Sequence, residues 1–265
     1  MWRWTGSREE LYHYGVLGMK WGVRKDRYKS NFDKDTVYKK GSKMHVMTTG
    51  EHGVDLHRKY TYASTNATDT AFYNSFLARG TKAATGDKKA FTNELTVTKN
   101  IKVPSQKVAV DTFMEMYKND PIGTADAIAK SASVKRRIGK VSALQEWSLK
   151  RTENKLYKQT FAELTKHGED YVRNEGYSIF SLSMATIQNP ARDKYFDMLL
   201  SKGYGGILDV NDINNGYTDE PLIVFNPSKS LSNTSSTELT ESAINEAEAY
   251  YEYKRGKNYR QEWLM

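Results

Sequence analysis

The sequence predicts an α+β chain whose sheet is split in two by a helical insertion. Three observations carry this. Strand-like segments gather between residues 36 and 103, helical periodicity fills 105–167, and strand-like segments return between 206 and 225. The 265 residues allow one large domain or two small ones. The boundaries read as a basic, aromatic segment at 1–34, a main domain at 35–235 with its helical insertion at about 105–170, and a C-terminal helix and basic tail at 236–265.

Each element follows from its residues. Residues 36–48, TVYKKGSKMHVMT, read as a strand, a turn at Gly41 and a second strand. Thr61–Thr65 is a short strand, and Thr68–Arg79 a helix with Phe72, Phe76 and Leu77 on one face and Gly80 at its end. Phe91–Val103 is β-rich with a bend at Asn100. Ser105 caps a helix bearing Val110, Phe113, Met114 and Tyr117, which Asp120-Pro121 interrupts. Pro121–Ile138 and Val141–His167 are further helices, the second stopping at Gly168. Tyr177–Leu182 reads as a strand, and Pro190 opens a helix that ends near Gly203. Gly206–Val210 and Pro221–Phe225 read as strands around a polar loop, Asn211–Asp219. Ser235 and Glu238 have capping-box spacing and are expected to open the last helix.

Composition excludes several classes. With no cysteine there is no disulfide scaffold, thiol nucleophile or cysteine metal site. No apolar run is long enough for a transmembrane helix, and MWRWTGSREEL has no signal-peptide core, so no membrane role is expected. The five histidines lack zinc-ligand spacing, and Asp209-Val210-Asn211-Asp212 lacks the glycine and glutamate of a calcium loop, so no metal is expected. No phosphate-loop or nucleophile-elbow sequence occurs. The net charge of +8 is concentrated early: residues 1–60 hold 13 Lys/Arg against 7 Asp/Glu. Such an excess suits nucleic acid, an acidic partner or an anionic surface, or simply solubility.

One constellation remains: His45 on a strand, Tyr62 on the next, Tyr73 on the following helix and Glu220 before an apolar strand. The stretches Lys59-Tyr60-Thr61-Tyr62-Ala63-Ser64 and Thr70-Ala71-Phe72-Tyr73 resemble the central block of ADP-ribosyltransferases of the diphtheria-toxin and poly(ADP-ribose)-polymerase type. The stretch from Thr218 to Leu231 resembles that family's last motif, in which a glutamate precedes an apolar strand and a turn. His45 falls where the family has its first-strand histidine, which gives a His-Tyr-Glu set. The chain departs from the pattern at Val46, where the family has glycine, and at Ala63-Ser64-Thr65, where the Arg-Ser-Glu subclass has Ser-Thr-Ser.

The resemblance covers roughly 36–231 and implies a split-sheet ADP-ribosyltransferase-like core with NAD as substrate. Glu220, His45 and Tyr62 would be its catalytic residues, and His45, Tyr62, Tyr73, Ser64 and Lys43 would bind NAD. Glu220 would stabilise an oxocarbenium-like transition state and hold a ribose hydroxyl. His45 would orient the adenosine ribose, the two tyrosines would stack on nicotinamide, and Lys43, with Lys39 and Lys40, would meet the pyrophosphate. The acceptor would be a host protein or nucleic acid.

A second resemblance lies in His13-Tyr14-Gly15-Val16-Leu17-Gly18-Met19-Lys20-Trp21-Gly22-Val23-Arg24. It is similar to a short motif of phage head-associated proteins, which also appears beside toxin-like domains. It implies docking to phage head or portal proteins through residues 12–24, and a location in the virion or the bacterial host cytoplasm. The alternative is an inactive head-associated interaction protein on the same fold.

Overall fold

A computed structural model describes residues 33–49, 53–67, 90–133, 142–184, 190–209 and 221–243, with 245 and 249. The chain is mixed α and β with antiparallel sheets, and it divides into two units. Ser30–Ala109 and Phe196–Met265 form a unit built on sheets, and Val110–Tyr195 belongs to a helical one.

The sheet unit contains β1 (Thr36–Tyr38), β2 (Lys43–Thr49), β3 (Tyr60–Ser64), β4 (Ala90–Val97) and β5 (Ile101–Val103). Later in the chain come β6 (Gly206–Leu208), β7 (Pro221–Phe225) and β8 (Leu231–Glu238). Among the described residues, β1 pairs with β5 alone, and the other six strands form one antiparallel sheet in the order β6-β7-β3-β2-β4-β8. Strand alternation sends Met44, Val46, Ala63, Leu95, Val97, Leu222 and Val224 to one face, where they form a buried core. Gly41 makes the turn between β1 and β2 with φ of 92°, a value that suits a residue without Cβ.

Asp35 ties three segments of this unit together. Its carboxylate accepts hydrogen bonds from the Ser105 amide (2.9 Å) and the Tyr204 hydroxyl (3.0 Å), and ion-pairs with Lys102 (3.0 Å). The Ser105 amide first, then Lys102 and Tyr204, hold the Asp35 pKa below its ordinary value against some desolvation.

The helical unit takes α1 (Gln106–Asn119) from Val110 onward, then α2 (Pro121–Ser133) and α3 (Ala143–Lys166). As the sequence predicts, Asp120 ends α1 and Pro121 starts α2, and the Asp120 carboxylate accepts from the Gly123 amide at 2.9 Å. Ser142 opens α3 with a reciprocal capping box to Gln145. The short α4 (Glu169–Tyr171), a π-helical turn (Val172–Gly176) and α5 (Tyr177–Ser183) follow, and α6 (Pro190–Ser201) closes the unit through Tyr195. Phe113 stacks on Phe180 at 5.2 Å, and Phe180 meets Tyr195 edge-on at 5.1 Å, which fills the core with aromatic surface.

Three expectations are corrected. Tyr177–Leu182 is helical: Val172, Gly176, Tyr177, Phe180, Ser181 and Met184 are buried at helical spacing, a period that six residues read alone are too few to reveal. Gly168 does not stop α3. His167 is already extended after Lys166, and Gly168 instead precedes α4. Ser235 and Glu238 lie in strand β8, opposite Glu94 and Phe91. The β-favouring Ser/Thr run is captured by the ladder to β4, and helix begins only after Thr240, whose Oγ1 accepts from the Ala243 amide at 3.2 Å. The expected helix Thr68–Arg79, the loop Asn211–Asp219 and residues 1–32 lie outside the described residues.

Candidate functional site

The face of the six-stranded sheet opposite its apolar core carries the polar set. Met44 and Val46 point into the core, so Lys43 and His45 take the other face; Ala63 and Leu222 fix Tyr62, Ser64 and Pro221 there by the same alternation. Register then aligns them. His45 is opposite Ser64, and Ser64 is opposite Pro221, so the three occupy one row across β2, β3 and β7. Tyr62 lies two positions along β3, opposite Ile223.

The join between β2 and β3 is narrow. β2 is in register with β4 from Lys43 to Thr49, whereas His45↔Ser64 is the single registered pair between the described residues of β2 and β3. Ser64 Oγ accepts from the Asn66 amide at 3.0 Å, a local bond that turns the chain away from the ladder where β3 ends. Two three-stranded halves, β6-β7-β3 and β2-β4-β8, therefore meet at His45, and main-chain pairing gives way along this seam.

His45 is half-buried, and desolvation is the main cause that holds its pKa below 6.5; Lys43 acts in the same direction and Glu94 opposes. The imidazole is thus neutral near pH 7, with one ring nitrogen to donate and one to accept. Glu94 faces it from β4, and the Lys43 ammonium donates to Glu94 Oε1 at 2.8 Å and to Thr96 Oγ1 at 3.0 Å. That bond is the largest cause lowering the Glu94 pKa, so Glu94 is an ionised carboxylate beside a neutral imidazole. Lys43, which the resemblance places at the pyrophosphate, bonds Glu94 here.

Aromatic rings close one end of this face. Tyr62 meets Tyr60 edge-on at 6.2 Å, Tyr60 meets Phe196 at 5.7 Å, and Phe196 tilts against Phe225 at 4.5 Å. The face thus grades from apolar, at Phe196 and Phe225, to polar, at His45 and Glu94. Val46 occupies the core face, only 6% exposed, and its carbonyl accepts from Asn93 Nδ2 at 3.2 Å.

The structure brings His45, Ser64, Tyr62 and Lys43 to one face. Tyr73 and Glu220 lie outside the described residues. Sequence reasoning missed Glu94, Tyr60 and Phe196. Period-two alternation alone could have put Glu94 on a solvent-facing side of β4, but its position opposite His45 depends on register, which the sequence does not display. Among the described residues, no group of three or more His, Asp or Glu could hold a metal ion, and no helix is long and apolar enough to cross a membrane.

Comparison with known proteins gives one match. Residues 5–28, which include the His13–Arg24 stretch, match a family of unknown function (DUF7211). No curated protein and no solved structure matches the chain.

Proposed function

We propose that this chain is an NAD-dependent ADP-ribosyltransferase of phage origin that passes ADP-ribose from NAD to a host macromolecule. The observation that supports it most is the row His45, Ser64, Pro221 on three adjacent strands. The resemblance draws its His-Tyr-Glu set from three separate stretches of sequence, and two of them meet directly across β2 and β3. The third, Glu220, is one residue before Pro221, the end of the row.

The reaction breaks the bond between nicotinamide nitrogen and ribose C1′. The bonding pair leaves with nicotinamide, and an acceptor oxygen or nitrogen attacks C1′ and gives up its proton. The sugar carbon gains positive charge on the way, which a carboxylate stabilises. Glu220 takes that role. Neutral His45 suits hydroxyl recognition, donating to or accepting from a ribose without an ion pair. Tyr62, packed edge-on against Tyr60, offers a ring to nicotinamide. Residues 12–24, which lie inside the match at 5–28, are assigned to docking on phage head or portal proteins.

Val46 favours the second reading, an inactive head-associated protein on the same fold. Where the family's glycine leaves its main chain open to nicotinamide, the Val46 carbonyl is occupied by Asn93.

The test is nicotinamide release by purified protein with host lysate, wild type beside Glu220→Gln. Release that depends on Glu220, with an unchanged melting temperature, supports the enzyme. No release, together with no rise in melting temperature on adding NAD, leaves the inactive reading.

A further inference from the structure

The exposed face of α3 is built differently from the rest of its surroundings. Trp147, Lys150, Arg151, Asn154, Lys155 and Lys158 line one open groove along it. They recur at three- and four-residue steps, so they form one continuous stripe of a single helix. Four of the six are cations and none is a carboxylate. Trp147 is 60% exposed although indole is an expensive group to leave in water, and the Arg151 guanidinium sits 5.7 Å from its ring centre. Glu146 lies at a loose 3.8 Å from Lys150, whose own side chain stays 67% exposed.

The geometry points to a binding face for single-stranded nucleic acid on α3, in the helical unit. A basic track beside an exposed aromatic ring matches that ligand: the cations follow phosphates while the ring stacks on a base. From Lys150 to Lys158 the helix advances about 12 Å. Over that length a strand presents several consecutive phosphates. An acidic protein would satisfy the cations but has no use for the indole. A membrane surface would need a broad apolar face, and beside Trp147 the helix exposes only Leu144 among its large hydrophobic residues described.

The test uses the full chain and a short fluorescent oligothymidine, with anisotropy read across a salt series. Replacing Lys150, Lys155 and Lys158 together by Gln should weaken binding on the order of tenfold and flatten the log–log salt slope by about 2. Trp147→Leu should weaken binding several-fold and leave the salt slope unchanged, because stacking releases no counterions. Circular dichroism establishes that each variant is folded; Trp147→Leu stands alone if the triple variant is not. Wild-type affinity in both variants would overturn the assignment. So would binding of polyglutamate or of phosphatidylserine vesicles as tight as that of oligothymidine and indifferent to Trp147, which would hand the face to an acidic protein or a lipid surface.

Discussion

β2 is held differently on its two sides. Toward β4 it is paired along its whole length, with Met44 against Leu95 and Val46 against Asn93, all four buried. Toward β3, among the described residues, it is held at His45↔Ser64 alone. The long ladder supplies stability through buried area and paired main-chain groups. The short join gives up such pairing, and there the neutral imidazole and the tyrosines collect. Function is assigned to the side where the fold forgoes its own bonds.

Substitutions on the two sides should therefore behave in opposite ways. The largest effect is expected from Leu95→Ala, which hollows the fully buried ladder side and should cost about 2–5 kcal/mol in urea denaturation. Asn93→Leu comes next. Asn93 is buried and donates to the Val46 carbonyl and to Thr48 Oγ1 (2.9 Å), so losing both bonds should cost about 1–3 kcal/mol. His45→Ala, on the seam, should cost under about 1 kcal/mol yet abolish NAD turnover. A stability loss as large as that of Leu95→Ala would remove the distinction between the two sides.

Acidity sharpens the same contrast at smaller scale. His45 has a folded pKa below its unfolded 6.5, so its neutral form is the one the fold accepts. Its contribution is complete above pH 6.5 and is lost as the pH falls toward and through the lower folded value. Asp35 also has a lowered pKa, so its contribution is present above 3.8 and is lost as the pH falls through the folded value. Wild type should thus lose stability in two acid steps. His45→Ala should remove the upper step, and Asp35→Asn should shrink the lower one, which Glu94 and Asp126 share, each read from midpoints of denaturation across pH.

Much of this arrangement was legible in the sequence, for reasons visible in particular residues. Gly41, Pro121 and Pro190 mark element ends because backbone constraint is local. Alternation in Met44-His45-Val46 and in Thr61-Tyr62-Ala63 assigns faces before any partner strand is known. What stayed hidden depends on distant pairing. Ser235 looks like a helix cap until β4 claims it, and the true cap is five residues on at Thr240. Thr240→Ala should cost about 1 kcal/mol while Ser235→Ala stays within about 0.5 kcal/mol of wild type. Glu94 was missed as a neighbour of His45 because only register sets the two side by side. Tyr177–Leu182 was misread because its burial period extends from Val172 to Met184, beyond the six residues read.

The most direct test of the seam is hydrogen–deuterium exchange with and without millimolar NAD. Protection of peptides covering Lys43–Thr49 and Tyr60–Asn66, with those that hold Tyr73 and Glu220, absent in His45→Ala and with β8 unchanged, is the predicted result. Exchange that NAD leaves unaltered throughout the chain, or protection that appears elsewhere and spares β2 and β3, would contradict it.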